Sequence, residues 1–422
     1  MEGLPNILIR KTALSLPFTK IIDLCRTNKK FNRAICHYQQ FWYDKLVLDY
    51  NVTQKYSEEL DWKRIYIHYF YRLIGLGSNE FGQLGLGLSI KTNELTEIPT
   101  IAVMGVACGF RHTVIVDVVG NLWGTGSNYS RQLGINTGSQ DVRNFVKLTR
   151  NLKFIQVACG SGHTLALSSD NRIWVTGSNF FGELGLGSID RVNHFIELKG
   201  YRAKQIACGD EHSAFIDLDG NLYTFGSEYY GQVGRGGNHE LPGKVLIDIP
   251  IIQFACGTFH TVCIDGNNEI WVFGNNRDGQ LGNGISLEKR YPEKISVHKA
   301  KFVSCGSFHT AFIDFEDHVW IFGSNIKNQL GLSLQGFETQ YIPTKITQVY
   351  SEGRIINRDF RVKHVYCGDD ITLFIDFENN LWVTGRNEML NIESKVPAMI
   401  PRIKASKVAA GFRHMVIIGY YN

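Results

Sequence analysis

Five times along the chain a cysteine stands four residues ahead of a histidine: Cys108 and His112, Cys159 and His163, Cys208 and His212, Cys256 and His260, Cys305 and His309. Thiolate and imidazole are zinc ligands, so these pairs invite a metal reading. A zinc site needs four donors converging at roughly 2.0–2.3 Å. The pairs are separated by 48 to 51 residues, so each belongs to its own structural unit and is held away from the others. Two further copies of the same pattern break it, with Ile371 where the histidine should be and Ala410 where the cysteine should be. The pattern therefore reads as packing around a hydrogen-bonded histidine, with no metal. Equivalent cysteines in different units lie beyond disulfide reach. All nine cysteines are expected as reduced thiols, which places the chain inside the cell, in cytoplasm or nucleus.

The glycine-rich strings, such as Gly82-Gln83-Leu84-Gly85-Leu86-Gly87, look superficially like phosphate cradles. No Gly-Lys-Ser/Thr follows them and no helix is expected after them, so tight turns with positive φ are the simpler reading. No nucleophile, base and orienting acid stand at a recognisable spacing. The sequence reads as a non-enzyme without metal or cofactor.

The elements that carry these residues repeat. The Cys-Gly-x-x-His-Thr pattern occurs seven times, weakly as Cys367-Gly368-Asp369-Asp370-Ile371-Thr372 and Ala410-Gly411-Phe412-Arg413-His414-Met415. An aromatic three residues before a glycine follows six copies (Trp123, Trp174, Tyr223, Trp271, Trp320, Trp382), then Gly-Ser-Asn and Gly-Gln-Leu-Gly variants. Between the motifs run short β-branched stretches that stop at an Asp and turn at Gly-Asn, as at Asp117 and Gly120-Asn121, which is a hairpin signal. Each repeat amounts to about four short strands. A four-stranded unit repeated seven times predicts a mainly β fold, a seven-bladed β-propeller preceded by a small all-α N-terminal module. The two motifs are out of phase at the ends, so residues 71–77 are expected to pair with 408–418 and close the ring. The expected domains are 1–50 helical, 51–70 a helical linker and 71–422 the propeller.

Cys-Gly-x-x-His-Thr, Gly-x-Leu-Trp and Gly-Ser-Asn-x-x-Gly-Gln-Leu-Gly together resemble the regulator-of-chromosome-condensation repeat, over roughly 71–422. That resemblance implies seven blades with end-to-end closure. It also brings a second function class, guanine-nucleotide exchange on a small GTPase or contact with chromatin and histones. No exchange wedge can be matched here residue by residue.

Residues 1–70 have another grammar: few glycines and apolar residues at helical spacing. Leu4, Pro5, Ile9, Leu14, Leu16, Pro17, Ile21, Ile22, Leu24, Phe31 and Trp42 fall in an order that resembles an F-box. The resemblance implies a three-helix module docking a Skp-type adaptor of a ubiquitin ligase, with the propeller binding an unknown protein target. A structural cap on the propeller is the plainer alternative. An F-box-like segment fused to such a propeller resembles proteins of large amoeba-infecting DNA viruses.

Charge narrows the partners. Residues 1–70 carry eleven Lys/Arg against seven Asp/Glu, the whole of the net +4, and the repeats are neutral. A neutral propeller argues against direct DNA binding. No apolar run is long enough to span a membrane. Candidate target contacts are the variable turn residues before the repeat histidine: Arg111, Glu211, Phe259, Phe308, Asp370 and Arg413. The 62-residue interval between the fifth and sixth copies holds extra residues, read as a long loop over 333–363. Its Lys345, Arg354, Arg358 and Arg361 are candidate partner contacts.

Overall fold

The computed structural model describes residues 5–50, 61–87, 91–99, 102–137, 140–295, 298–333, 339–387 and 392–422. Strands begin at Arg72 and run to Tyr421. Five four-stranded antiparallel sheets follow one another, each with its strands in sequence order. The first consists of Val103–Cys108, His112–Asp117, Leu122–Gly126 and Val142–Lys147. The expected closure is present: Arg72–Gly77 pairs with His414–Tyr421 from Arg72↔Gly419 to Gly77↔His414.

One feature departs from separate four-stranded blades. The strand Ile392–Ala410 is 19 residues long, and its first half pairs with Asn380–Asn387 while its second half pairs with His414–Tyr421. Two four-stranded units are thereby fused into a single nine-stranded sheet. The sheet also takes in the hairpin Gln348–Ser351 and Arg354–Asn357, joined by Tyr350↔Ala398. The segment read as a long loop is thus largely an ordered hairpin. Val349, Phe360 and Val362 anchor it in the apolar cluster beneath, and that burial is what a purely polar reading of the interval missed. Residues 334–338 of the interval lie outside the described residues.

Within each repeat the sequence motifs have local work. Asp117 accepts hydrogen bonds from its turn amides at Val119 and Asn121 and from Trp123 Nε1 at 3.0 Å. Asp265, Asp314 and Asp376 hold Trp271, Trp320 and Trp382 in the same way at 2.8–2.9 Å. Trp174 lacks this clamp because Ser168 stands at the Asp position, and the indole Nε1 has no hydrogen-bond partner among the described residues. The Gly-Gln-Leu-Gly turns close on themselves: Gln83 Oε1 takes Phe81 N, and Asn79 Oδ1 takes Leu84 N.

The N-terminal segment forms helices Asn6–Leu14, Phe18–Thr27, Gln39–Tyr50 and Trp62–Phe70, with a short helical turn near Phe31 and a wider one over Asn32–Cys36. Pro5 and Pro17 precede the first two helices, where their fixed φ fits. The module has its own core of Ile9, Ile21, Phe31, Ala34, Phe41, Trp42, Leu46 and Tyr66. Cys25 and Cys36 are joined as a disulfide within that core, with Cα atoms 6.4 Å apart. This corrects the expectation that every cysteine is reduced, and with it the all-thiol ground for placing the chain inside the cell; among the described residues the remaining seven are free. Helical packing brings two cysteines eleven residues apart onto facing turns, which spacing alone does not reveal.

Candidate interaction face

The strand order gives the ring two distinct faces. Each strand that ends at the repeat cysteine and each that begins at the repeat histidine meet on one face, so the Cys-Gly turns gather there. The Gly-Ser-Asn loops join them: Ser127 N donates to Arg111 O, Ser227 N to Glu211 O and Asn275 N to Phe259 O, all at 2.8 Å. The Asp-clamped hairpins lie on the opposite face. That second face carries the helical module, since Val118, beside Asp117, packs against the helical core. Phe70 and Tyr71 contact Tyr420 there, at centroid distances of 4.8 and 5.7 Å.

A hydrogen-bonded belt fixes the Cys-Gly face. His112 Nε2 meets Thr164 Oγ1 at 3.0 Å, His163 meets Ser213 at 2.8 Å, and His212 meets Thr261 at 3.0 Å. His260 meets Thr310 at 2.9 Å, His309 meets Thr372 at 2.8 Å, and His414 returns to Thr113 at 2.9 Å. Each hydroxyl also gives its proton to a carbonyl of the preceding Gly-Gln-Leu-Gly turn, as Thr113 does to Gln83 O at 2.7 Å. A hydroxyl has one proton, so each histidine donates through Nε2–H, and its buried Nδ1, without an acceptor among the described residues, disfavours a second proton there. Burial agrees, lowering His112, His212, His260 and His309 to about 3 and His163 and His414 to about 4. The belt is interrupted at one junction, where Ile371 faces the repeat carrying Met415.

The cysteines are not chemistry. Burial pushes the Cys108, Cys256 and Cys367 thiols up to about 12, so they stay protonated. Cys108 and Cys159 donate to backbone carbonyls of the preceding repeat, Ala409 O and Ala107 O. Among the described residues no group of three His, Cys, Asp or Glu could hold a metal ion.

Inside the belt, all seven repeats line one central cavity of about 290 Å³. Of the sequence-predicted turn residues, Phe259 and Phe308 line it; their neighbours Phe110, Asp210, Asp369 and Phe412 line it too. Phe110 stacks on Phe412 across the closure at 4.1 Å. Arg111 lies outside the cavity over Phe81, 4.4 Å from the ring centre. Asp370 and Arg413 line a neighbouring pocket with Lys327 and Arg386, at the interrupted junction. Glu211 reaches neither space; burial and nearby Glu183 raise its carboxyl.

Sequence reasoning missed the outer ring of this face. The two variable residues of each Gly-Ser-Asn-x-x-Gly loop include Tyr129 at 68% exposure, Phe180 at 56% and Tyr229 at 71%. The signal was available: aromatics at solvent-facing turn positions of a repeat have no packing reason to be there. Of the loop candidates, Arg354, Arg358 and Arg361 are exposed and Lys345 is half-buried, on the opposite face; Arg358 sits over Trp382 and Arg361 pairs with Asp359 at 2.7 Å.

The candidates on the helical module divide sharply. Ile9, Ile21, Phe31 and Trp42 are sealed in its core, so they shape the module and cannot touch a partner. Leu14, Leu16, Ile22 and Leu24 are half-buried against that core, and Pro5 and Pro17 are exposed. Leu4 lies outside the described residues. Ile7 at 63% and Leu48 at 63%, together with Leu8, are the exposed apolar side chains that the sequence reading passed over.

Residues 72–417 match the family model of the RCC1-like domain. The human probable E3 ubiquitin-protein ligase HERC4 is 34% identical over 117 residues, 26% of this chain and 11% of that protein. The human X-linked retinitis pigmentosa GTPase regulator is 34% identical over 128 residues, 29% of this chain and 12% of that protein. The ultraviolet-B receptor UVR8 of Arabidopsis thaliana is 31% identical over 159 residues, 35% of this chain and 36% of that protein. The chain thus matches between about a tenth and about a third of the length of these relatives. The human WBSCR16 structure superposes with TM-score 0.74 at 22% identity, covering 83% of this chain and 99% of that one. Prp20p of Saccharomyces cerevisiae, described with its binding to Gsp1p and histones, gives TM-score 0.74 at 19% identity, covering 83% and 92%. At these identities the superpositions speak for the fold alone. With its repeats, belt and strand closure accounted for, the chain belongs to the RCC1-like domain family.

Proposed function

We propose that the chain is a non-catalytic recruiting subunit, working inside the cell in cytoplasm or nucleus. Its helical module docks a Skp-type adaptor of an SCF-type ubiquitin ligase, and its Cys-Gly face binds a protein target. In this reading residues 1–50 are the F-box-like module, 51–70 the link, whose helix Trp62–Phe70 packs Ile65 and Tyr66 into the module's core, and 71–422 a seven-bladed ring. The nine-stranded sheet counts as two blades sharing Ile392–Ala410.

The observation that carries the reading is placement. The module keeps its own core, sits on the Asp-hairpin face, and leaves Ile7, Leu8 and Leu48 exposed. The aromatic-rich face at the other end of the ring is left uncovered by the described residues. Two docking surfaces on opposite sides suit a protein whose work is to raise the local concentration of a target near a separate transfer enzyme.

Co-purification with a recombinant Skp-type adaptor tests this. Wild type should retain the adaptor, and the double variant Ile7→Asp, Leu8→Asp should lose it with an unchanged melting temperature. No retention by wild type overturns the adaptor reading. Nucleotide release from small GTPases, accelerated by the isolated chain, would instead favour an exchange factor, and binding to histones a chromatin role.

A further inference from the structure

The central cavity is built with a charge missing. Its lining includes four phenylalanines, Phe110, Phe259, Phe308 and Phe412, and two carboxylates, Asp210 and Asp369, and no lysine, arginine or histidine. Asp210 is largely buried, and its carboxylate has no hydrogen bond or ion pair among the described residues. Burial, then Asp369, then the adjacent Glu211 raise it to about 7. Asp369 is raised to about 6 by burial and by Asp370; Ser307 and Arg413 hold it down in part. Folding has gathered acids that repel one another around a space with aromatic walls. Asp369 also borders the neighbouring pocket with its Lys91, Lys327, Arg386 and Arg413, which leaves Asp210 as the acid set apart from those cations. Nothing in the packing of the belt requires Asp210: the same turn position holds Ser161, Thr258 and Ser307 in other repeats.

We infer that this cavity is a binding site for a basic side chain, arginine or lysine, presented by the protein target. A cation there would end the repulsion between Asp210 and Asp369. Its flat or methylene surfaces would lie against the phenylalanine rings, whose faces attract cations. The face already uses this contact internally, with Arg413 over Phe412 at 5.0 Å and Arg111 over Phe110 at 5.1 Å. A volume near 290 Å³ admits one such side chain and no folded segment. The inference rests on the proposal that this face binds the target and adds what the target must present.

Saturation-transfer NMR of the full chain with acetyl-Gly-Arg-Gly-amide, its lysine counterpart, the neutral citrulline counterpart and spermidine tests it. The arginine or lysine peptide should receive saturation on its side-chain methylenes, and the citrulline peptide should not. Asp210→Asn should reduce the signal at least fivefold. It should leave the melting temperature equal or higher, because an unpartnered charge is removed. A second variant, Thr258→Lys, places a resident cation in the same ring and should abolish the peptide signal. Equal signals from arginine and citrulline peptides, or a signal unchanged in both variants, overturns the inference. Binding of spermidine with neither basic peptide also overturns it, since the cation would then be a free polyamine. If Tyr129→Ala and Tyr229→Ala lose a captured target while Asp210→Asn retains it, the interaction face stands and the cation site falls.

Discussion

Lowering the pH should dismantle the ring from its belt. Six buried histidines donate through Nε2 as neutral rings, and their native pKa values lie at about 3 to about 4. In the unfolded chain each titrates near 6.5. Between those values the unfolded state binds more protons, so the histidine contribution is full above pH 6.5 and is lost as pH falls. At pH 5 each site costs about 2 kcal/mol, and six together roughly 12 kcal/mol. Asp210 and Asp369 act in the opposite sense. Their folded pKa values, about 7 and about 6, exceed the unfolded value, so their repulsion is relieved as pH falls. Asp210 offsets roughly a quarter of the histidine loss at most, and Asp369 less because Arg413 already compensates it. A net loss of this size rivals the ~5–15 kcal/mol that holds an ordinary domain together. Thermal unfolding followed by circular dichroism at pH 7.5, 6.5, 5.5 and 5 should show the melting temperature falling by about ten degrees or more, steepest below pH 6. His260→Gln should unfold with a shallower pH dependence. A melting temperature at pH 5 within two degrees of that at pH 7.5 would refute the neutral-belt argument.

Other perturbations separate the local devices. Asp265→Asn leaves Trp271 Nε1 and two turn amides short of acceptor capacity, and should cost about 1–3 kcal/mol in a denaturant titration. Gly257→Ala would set a methyl 2.1 Å from His260 Cε1 and 2.5 Å from Gly306 O. It should cost about 3 kcal/mol or more, whereas Gly236→Ala, with only the Tyr291 hydroxyl at 3.8 Å, should be neutral within about 0.5 kcal/mol. Ile371→His combined with Met415→Thr should complete the belt. A double-mutant cycle should give a favourable coupling of about 1 kcal/mol that neither single change shows.

The repeat was legible because it is written seven times: a hydrogen bond such as His112 to Thr164 needs the same two residue types in adjacent units, and spacing records it. The clamp was half legible, since the aromatic and the Asp were both noted but their bond runs across a turn. The fused sheet was not legible, because Ile392–Ala410 departs from the motif there and one strand pairs with partners from two repeats. Nor was the disulfide, which depends on how two helical turns face. On the helical module, periodicity selects buried residues. It found Ile9, Ile21 and Trp42, which shape the fold, and passed over Ile7, Leu8 and Leu48, which lie outside the apolar stripe and face solvent.

Hydrogen–deuterium exchange of the full chain, alone and with a recombinant Skp-type adaptor, tests the two-sided arrangement most directly. The account predicts protection within Asn6–Leu14 and Gln39–Tyr50 and unchanged exchange at the turns around Phe110, Asp210, Phe259 and Phe412. Protection of those turns by the adaptor, or no protection of either helix, would contradict it.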